Sequence, residues 1–139
     1  TALLAQQIRK LGSPVVLFSS EWAFTTDLLS FGGRAVNGMM SFHSFNVNRQ
    51  QAQYLAFKDK FSKRFGYSPS FASVLAYDAA TYLLAGIKKN RTRAELKQTL
   101  LDHGSFQGLQ SNVVIDQFGD VERELFLTVI EDGHFKVLE

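Results

Sequence analysis

The sequence predicts an α/β fold in which helices and strands alternate and the chain ends in a β-hairpin. Apolar residues at helical spacing alternate with short β-branched and aromatic runs over most of the chain. From Asn112 onward such runs follow one another, interrupted at Gly119 and at the pair Asp132–Gly133. An Asp-Gly pair tolerates the positive φ angles of a tight hairpin turn. Helices alternating with strands before a terminal hairpin indicate the α/β class.

The composition fits one globular core and argues against several classes of function. The 139 residues are 45% apolar and carry a formal net charge of +2, which suits a folded domain. Lysines and arginines are scattered, so no nucleic-acid partner is expected. The lack of cysteine excludes disulfides and thiolate catalysis. Because the chain opens in helical rhythm without an initiator methionine, we expect it to be a piece of a longer protein.

The first third predicts two helices and two strands. Apolar residues at helical spacing continue to Leu11, and Gly12 stops that helix. The run VVLF is typical of a strand covered on both faces. The elements predicted here are a helix to Leu11, a strand at Val15–Phe18, a short helix capped by Thr25 or Thr26 and ended by Gly32–Gly33, and a strand within Gly38–Phe45.

The middle third predicts three helices. An aromatic stripe from Tyr54 to Phe65 marks a helix closed by Gly66, and we favour core packing of that stripe over ligand stacking. The stretch 71–87 is apolar nearly all round, which indicates a central, buried helix. Thr92 and Glu95 have the spacing of a capping box, and the helix that they start ends near His103.

Most candidates for chemistry have ordinary explanations. The three histidines, His43, His103 and His134, have no metal-ligand spacing, so no metal site is expected. No dinucleotide or phosphate-loop fingerprint occurs, so no cofactor is expected either. Ser19 and Ser20 lack the nucleophile-elbow pattern, but a serine between a strand and a helix keeps a small α/β hydrolase as an alternative.

Glu21 and Trp22 follow directly after the predicted strand VVLF. Ligands of open α/β sheets bind beyond the carboxyl ends of the strands. A carboxylate there suits a ligand ammonium group, and Trp22 can supply an apolar wall or a cation–π face. Spacing alone favours the alternative, in which Glu21 caps the next helix or faces water.

Tyr77 and Asp78 lie inside the most apolar predicted helix. A buried aspartate needs a partner or a water-filled cleft. The residues alone favour a buried hydrogen bond that ties helices together over a ligand contact for Asp78.

The order of several segments resembles a known family. These segments are RKLGSPVVLFSSEW, GGRAVNGMMSFHSF, GYSPSFASVLAYDAA and the closing FQGLQSNVVIDQFGD with EDGHF. Together they resemble the carboxyl-terminal portion of the type I periplasmic solute-binding proteins of ABC transporters, in the branched-chain amino-acid (leucine/isoleucine/valine) branch. The resemblance runs essentially from end to end of this chain.

The resemblance implies a type I periplasmic-binding-protein fold, with Rossmann-like lobes, of which this chain is an incomplete fragment. In that family two lobes close on a ligand. Residues 1–45 and about 117–139 would belong to the second lobe, and residues 46–116 to the first. The hinge candidates are Ser44–Asn46 and Ile115–Gly119.

The resemblance also implies a site and a function. The family's amino-acid-binding members place an acidic residue where SSEW places Glu21, which makes Glu21 the first candidate for a ligand contact. The other candidate ligand-binding residues are its neighbours Ser20 and Trp22, and Tyr77 and Asp78 in the segment YDAA. Trp22 replaces a small residue that is common in leucine-binding members, which implies a pocket of another size or for another ligand.

The implied function is non-enzymatic: binding of an amino acid or similar small polar solute and its delivery to the membrane permease of an ABC transporter. The implied location is periplasmic or extracellular, with a lipid anchor as one form. A sensor or receptor domain of the same fold is the alternative.

A fragment of such a fold would expose apolar surface along the VVLF and VLAYDAATYLL segments. We therefore expect the isolated chain to rearrange, to swap elements or to dimerise so that this surface is covered. Solution scattering checks this expectation, and a monodisperse monomer would argue against it.

Overall fold

The structure is a computed structural model, and it describes residues 1–89 and 92–138. In chain order the elements are α1 (Ala2–Lys10), α2 (Thr26–Gly32), β1 (Met40–His43), α3 (Ala52–Phe65), α4 (Phe71–Ile87), α5 (Arg93–His103), β2 (Ser105–Gln107), β3 (Asn112–Ile115), β4 (Val121–Arg123), β5 (Phe126–Glu131) and β6 (His134–Val137), with 3-10 helices at Glu21–Ala23 and Gly33–Val36. The mixture of helices and strands confirms the predicted α/β class.

The chain divides into two compact units. Unit 1 comprises Thr1–Asn46 and Leu125–Glu139, and unit 2 comprises Val47–Glu124. The second boundary between the units lies after β4, because β4 pairs with β3 and thereby stays in unit 2. The hinge candidate Ile115–Gly119 accordingly lies inside unit 2, where the Gly119 N–H donates to the carbonyl of Asp116 in the turn between these strands.

Unit 1 places two helices against a three-stranded sheet. The strand order is β1-β5-β6, and both pairings are antiparallel. The turn between β5 and β6 has positive φ at Asp132 (50°) and Gly133 (76°), which confirms the predicted hairpin. Thr25 caps α2 by accepting a hydrogen bond from the N–H of Leu28. The buried core joins residues of both helices to β5 and comprises Ala5, Phe24, Leu28, Val36, Met39 and Ile130.

The predicted strand Val15–Phe18 is not a strand in the structure. One isolated parallel bridge joins Phe18 to Met40. Val16 is 70% exposed and Phe18 54% exposed, so the segment is not covered on both faces. Among the described residues no strand pairs with its outer edge, and an extended segment needs partners on both sides to become an interior strand.

Unit 2 contains α3, α4 and α5 with a second antiparallel sheet of order β2-β3-β4. Gly66 ends α3 in the left-handed region (φ 79°), as predicted. Of the aromatic stripe on α3, Tyr54 is fully buried while Phe65 is half exposed. The capping box of Thr92 and Glu95 is formed with both of its hydrogen bonds. The short strand β2 was not expected from the sequence.

Helix α4 buries one face rather than its whole circumference. The buried positions recur every three to four residues at Phe71, Val74, Asp78, Tyr82 and Gly86. Leu84 remains 56% exposed and Ile87 48% exposed. The prediction of burial all round is therefore wrong for this chain. The helix α5 and the connection between β2 and β3 cover the buried face of α4, and Phe57 of α3 contacts Tyr77, but other apolar residues of α4 remain exposed.

Asp78 ties α4 to the connection between β2 and β3. Its Oδ1 accepts a hydrogen bond of 2.9 Å from the N–H of Leu109, and its Oδ2 lies 3.7 Å from the guanidinium of Arg123. Gly108 makes room for it, because a Cβ there would lie 2.7 Å from Oδ2. Burial raises the pKa of Asp78 above the usual 3.8, and the Leu109 N–H and Arg123 oppose that shift.

We expect Asp78→Ala to lower the free energy of unfolding of unit 2 by about 3 kcal/mol, because the change leaves Arg123 and the Leu109 N–H without their partner. Urea unfolding of the chain measures the loss. The matched control is Asp59→Ala, which removes an exposed ion pair with Lys63 on α3 and should cost about 0.5 kcal/mol. Equal losses in the two variants would contradict this role for Asp78.

Candidate functional site

The candidate residues fall into two groups that belong to different units. Ser20, Glu21 and Trp22 lie in unit 1, at the 3-10 helix that follows the extended segment 15–18. Tyr77 and Asp78 lie in unit 2 on α4. Within unit 1 the structure brings Glu21 to His43 and Ser44 at the end of β1.

A tight turn fixes the backbone around Glu21. Ser20 is extended (φ −73°, ψ 155°), and its carbonyl accepts a hydrogen bond from the N–H of Ala23. Phe24 then enters the core of unit 1, where it is 2% exposed and stacks on Phe135 at 5.4 Å between ring centroids. Because Phe24 is anchored three residues later, the backbone of Glu21 has little freedom to move.

In the described part of the chain, all hydrogen bonds and ion-pair contacts of the Glu21 carboxylate involve one of its two oxygens. Oε1 accepts hydrogen bonds from the N–H of Ser44 at 2.9 Å and from the Ser44 hydroxyl at 2.5 Å. Nδ1 of His43 lies 3.1 Å from the same oxygen. The Glu21 side chain is 22% exposed, and no hydrogen bond or ion pair of Oε2 is found among residues 1–89 and 92–138. The carboxylate is thus held by one oxygen, with the other available as an acceptor.

These contacts exclude two of the interpretations of Glu21. The helix-cap alternative is wrong, because Thr25 supplies the cap of α2. The carboxylate does not simply face water either, since Ser44 binds it. A half-engaged carboxylate beside a turn is the arrangement that a ligand ammonium group can complete.

His43 is buried beside Glu21. The residue is 5% exposed, and its ring lies near the rings of Phe24 and Phe45. Burial lowers the pKa of His43 below its usual 6.5, and the Glu21 carboxylate opposes part of that shift. The imidazole is therefore neutral at pH 7 and carries one proton, on either Nδ1 or Nε2.

Trp22 and Ser20 border this turn. Trp22 is 74% exposed, so its indole is accessible to solvent. The hydroxyl of Ser19 donates to the carbonyl of Ser20, and in the described part of the chain neither serine hydroxyl bonds to a histidine or a carboxylate. A serine nucleophile needs such a base within hydrogen-bond reach, so the geometry lends the hydrolase alternative no support.

Tyr77 and its neighbour Asp78 have different environments. It is 46% exposed and packs on Phe57 of α3 at 4.8 Å between ring centroids. Both line an open groove of about 450 Å³ in unit 2, together with Phe61, Lys60 and Arg64. Asp78 instead is 4% exposed and engaged with Leu109 and Arg123, which favours its buried structural role.

Two further findings concern only residues 1–89 and 92–138. No group of three or more histidine, cysteine or acidic side chains there has the arrangement of a metal site. None of the helices in this part of the chain has the length and apolar character that crossing a membrane requires.

Sequence reasoning missed the roles of His43 and Ser44. The sequence patterns bear on His43 only as a metal ligand and on Ser44 only as part of a hinge. Both lie in the segment FHSF at the end of β1, beside the end of the extended segment 15–18. Polar residues at the ends of two neighbouring strand segments are the signal that could have paired them with Glu21.

Solved structures similar to this chain are larger proteins. A leucine-binding protein from Thermotoga maritima matches with a TM-score of 0.89 and 22% identity, over 99% of this chain and 40% of that chain. An ABC transporter substrate-binding protein from Desulfitobacterium hafniense in complex with Leu matches with a TM-score of 0.82 and 24% identity, over 97% and 39%. An extracellular ligand-binding receptor from Desulfohalobium retbaense matches with a TM-score of 0.80 and 23% identity, over 99% and 24%.

At these identities the likeness establishes the fold, and the chain spans about two fifths of the length of the first two proteins. A search of curated protein sequences finds no match. The family model described as periplasmic binding protein matches residues 1–134, which confirms the resemblance stated from the sequence. The chain therefore belongs to the periplasmic binding protein family.

Proposed function

We propose that the chain is the carboxyl-terminal portion of a solute-binding component of an ABC transporter, which binds an amino acid or a related small metabolite. The observation that carries the proposal is the Glu21 carboxylate, whose Oε1 is held by Ser44 while Oε2 stays available. Family membership supplies the function class. The bound Leu in the Desulfitobacterium hafniense protein supports an amino acid as the ligand.

The proposed ligand contact is a charge-assisted hydrogen bond. An α-ammonium group offers three donors to Oε2 of Glu21, and such bonds are shorter and stronger than those between neutral groups. Trp22, exposed and next to Glu21 in the sequence, would form a wall against the ligand side chain or a face for its cation. Ser20 would add a hydroxyl at the same turn.

The assignment of residues to lobes remains part of the proposal. Residues 1–46 and 125–139 would belong to the second lobe, and residues 47–124 to the first. These bounds are those of the two compact units. Tyr77, exposed on α4 in unit 2, stays a proposed ligand contact. We assign Asp78 to the support of that helix, because both of its oxygens face protein groups.

The proposed partners and location follow from the transporter role. The ligand-loaded protein would dock on a membrane permease, and it would act in the periplasm or outside the cell, either free or on a lipid anchor. In the isolated chain the exposed apolar residues of segment 15–18 and α4 support self-association. A receptor domain of the same fold is the second candidate, favoured by the similarity to an extracellular ligand-binding receptor.

The proposed ligand contact is tested by Glu21→Gln in the full-length protein. We expect leucine affinity to fall by about 2 kcal/mol, or roughly 30-fold, because the ammonium group loses its charged acceptor. Calorimetry measures this loss, with the oxo acid of leucine as the ligand that lacks the ammonium group. The same titrations with Trp22→Ala, against amino acids of increasing size, test whether Trp22 limits the pocket.

The matched control is Glu131→Gln, which removes an exposed carboxylate paired with Lys136 elsewhere in unit 1. It should leave leucine affinity unchanged. Unchanged affinity in Glu21→Gln, or an equal loss for leucine and its oxo acid, would contradict the ammonium contact. Absence of any binding across an amino-acid panel, together with turnover of simple esters, would instead favour the hydrolase.

A further inference from the structure

The contacts around Glu21 point to a role for the two residues at the end of β1. We propose that Ser44 is a positioning residue, which holds the Glu21 carboxylate in one orientation for a ligand ammonium group, and that His43 controls the charge that the ligand meets there. This inference rests on the proposed function, because it requires Glu21 to accept the ammonium group.

Ser44 provides two donors that converge on a single oxygen. Its backbone N–H lies 2.9 Å and its hydroxyl 2.5 Å from Oε1 of Glu21. Ser44 is 6% exposed, so water has little access to these bonds. Two donors on one oxygen restrict both the side-chain rotamer and the rotation of the carboxylate.

This restriction favours binding for an entropic reason. A free glutamate side chain loses rotamer entropy when it is fixed in one conformation. Ser44 fixes the Glu21 side chain before a ligand arrives, so ligand binding involves no further loss of this rotamer entropy. Because both donors use Oε1, the fixed orientation leaves Oε2 without a protein partner among the described residues.

His43 adds an electrostatic control through its ring nitrogen. Nδ1 lies 3.1 Å from Oε1 of Glu21, and the N–H of Phe45 lies 3.2 Å from the same Nδ1. A proton on Nδ1 makes the ring a donor to Glu21. Without that proton Nδ1 accepts from Phe45, with its lone pair close to the carboxylate.

Protonation of the ring would change the charge that the ligand meets. The imidazolium cation would donate to Glu21 and offset the negative charge that attracts an ammonium group. Glu21, from the 3-10 helix, is a charged group in contact with the ring. Phe24 after that helix, Phe45 on the same segment as His43, and Phe126, its register partner on β5, are uncharged. Affinity for an amino acid should therefore fall as the pH drops below the usual histidine value of 6.5.

Ser44→Ala in the full-length protein tests the first part. We expect leucine affinity to fall by about 5- to 10-fold, because the hydroxyl bond to Oε1 is lost while the backbone bond remains. Ser44→Thr, which restores a hydroxyl, should recover most of that affinity. Ser30→Ala is the matched control, since it removes an exposed hydroxyl bonded to the Thr26 carbonyl within α2, and it should change affinity less than twofold.

A double-mutant cycle separates positioning from a general structural effect. In the Glu21→Gln background, Ser44→Ala should change leucine affinity less than twofold, because no carboxylate is left to position. An equal loss in both backgrounds would overturn the positioning role of Ser44. If Glu21→Gln itself leaves affinity unchanged, the proposed function fails; if only Ser44→Ala has no effect, this inference alone fails.

The pH dependence of binding tests the role of His43. Leucine affinity of the unaltered protein should decrease as the pH falls below about 6.5, because the pKa of His43 is lowered from that value, and His43→Gln should flatten the profile. A structural role for His43 would change stability without removing the pH dependence of affinity. A profile with the same slope in both proteins would overturn the role of His43, whatever the stability of the variant.

Discussion

The bond between the Glu21 carboxylate and Ser44 joins two segments that are 23 residues apart in the chain. One segment is the turn after residue 18, and the other is the end of β1, two residues before the chain leaves unit 1. A mostly buried carboxylate without partners would be costly, so these two donors allow Glu21 to stay at this place. The orientation of the Glu21 carboxylate and the proposed ligand contact depend on this pair of hydrogen bonds.

The two units each contain a carboxylate bound to a backbone N–H, and the comparison explains why we assign them different roles. Asp78 binds the N–H of Leu109 through one oxygen, while Arg123 and the close approach of Gly108 occupy the surroundings of the other. Glu21 binds the N–H of Ser44 through one oxygen, and its second oxygen has no partner in the described chain. A fully engaged carboxylate stabilises the fold, whereas a half-engaged one can still accept a donor from a ligand.

Local signals in the sequence predicted local structure well. Thr25 and Thr92 cap their helices, Gly66 ends α3 in the left-handed region, and Asp132 with Gly133 turns the final hairpin. Each of these features depends on residues only a few positions apart.

Features that depend on distant partners were less predictable. The segment VVLF has the composition of an interior strand, but a strand forms only where neighbours pair with it, and here one bridge to Met40 exists. Burial of a helix likewise requires neighbouring elements, and α4 buries only one face despite its apolar sequence. The sequence indicated that Glu21 lies beyond the end of an extended segment, but the register that brings Ser44 and His43 to it is not encoded in any local pattern.

The central claim is that Oε2 of Glu21 accepts the ammonium group of the ligand. A crystal structure of the full-length protein with leucine bound tests it most directly. The account predicts the leucine nitrogen at about 2.7 to 3.0 Å from Oε2 of Glu21, with Ser44 still bonded to Oε1. A leucine nitrogen held by other groups, with Oε2 of Glu21 facing solvent or protein, would contradict the account.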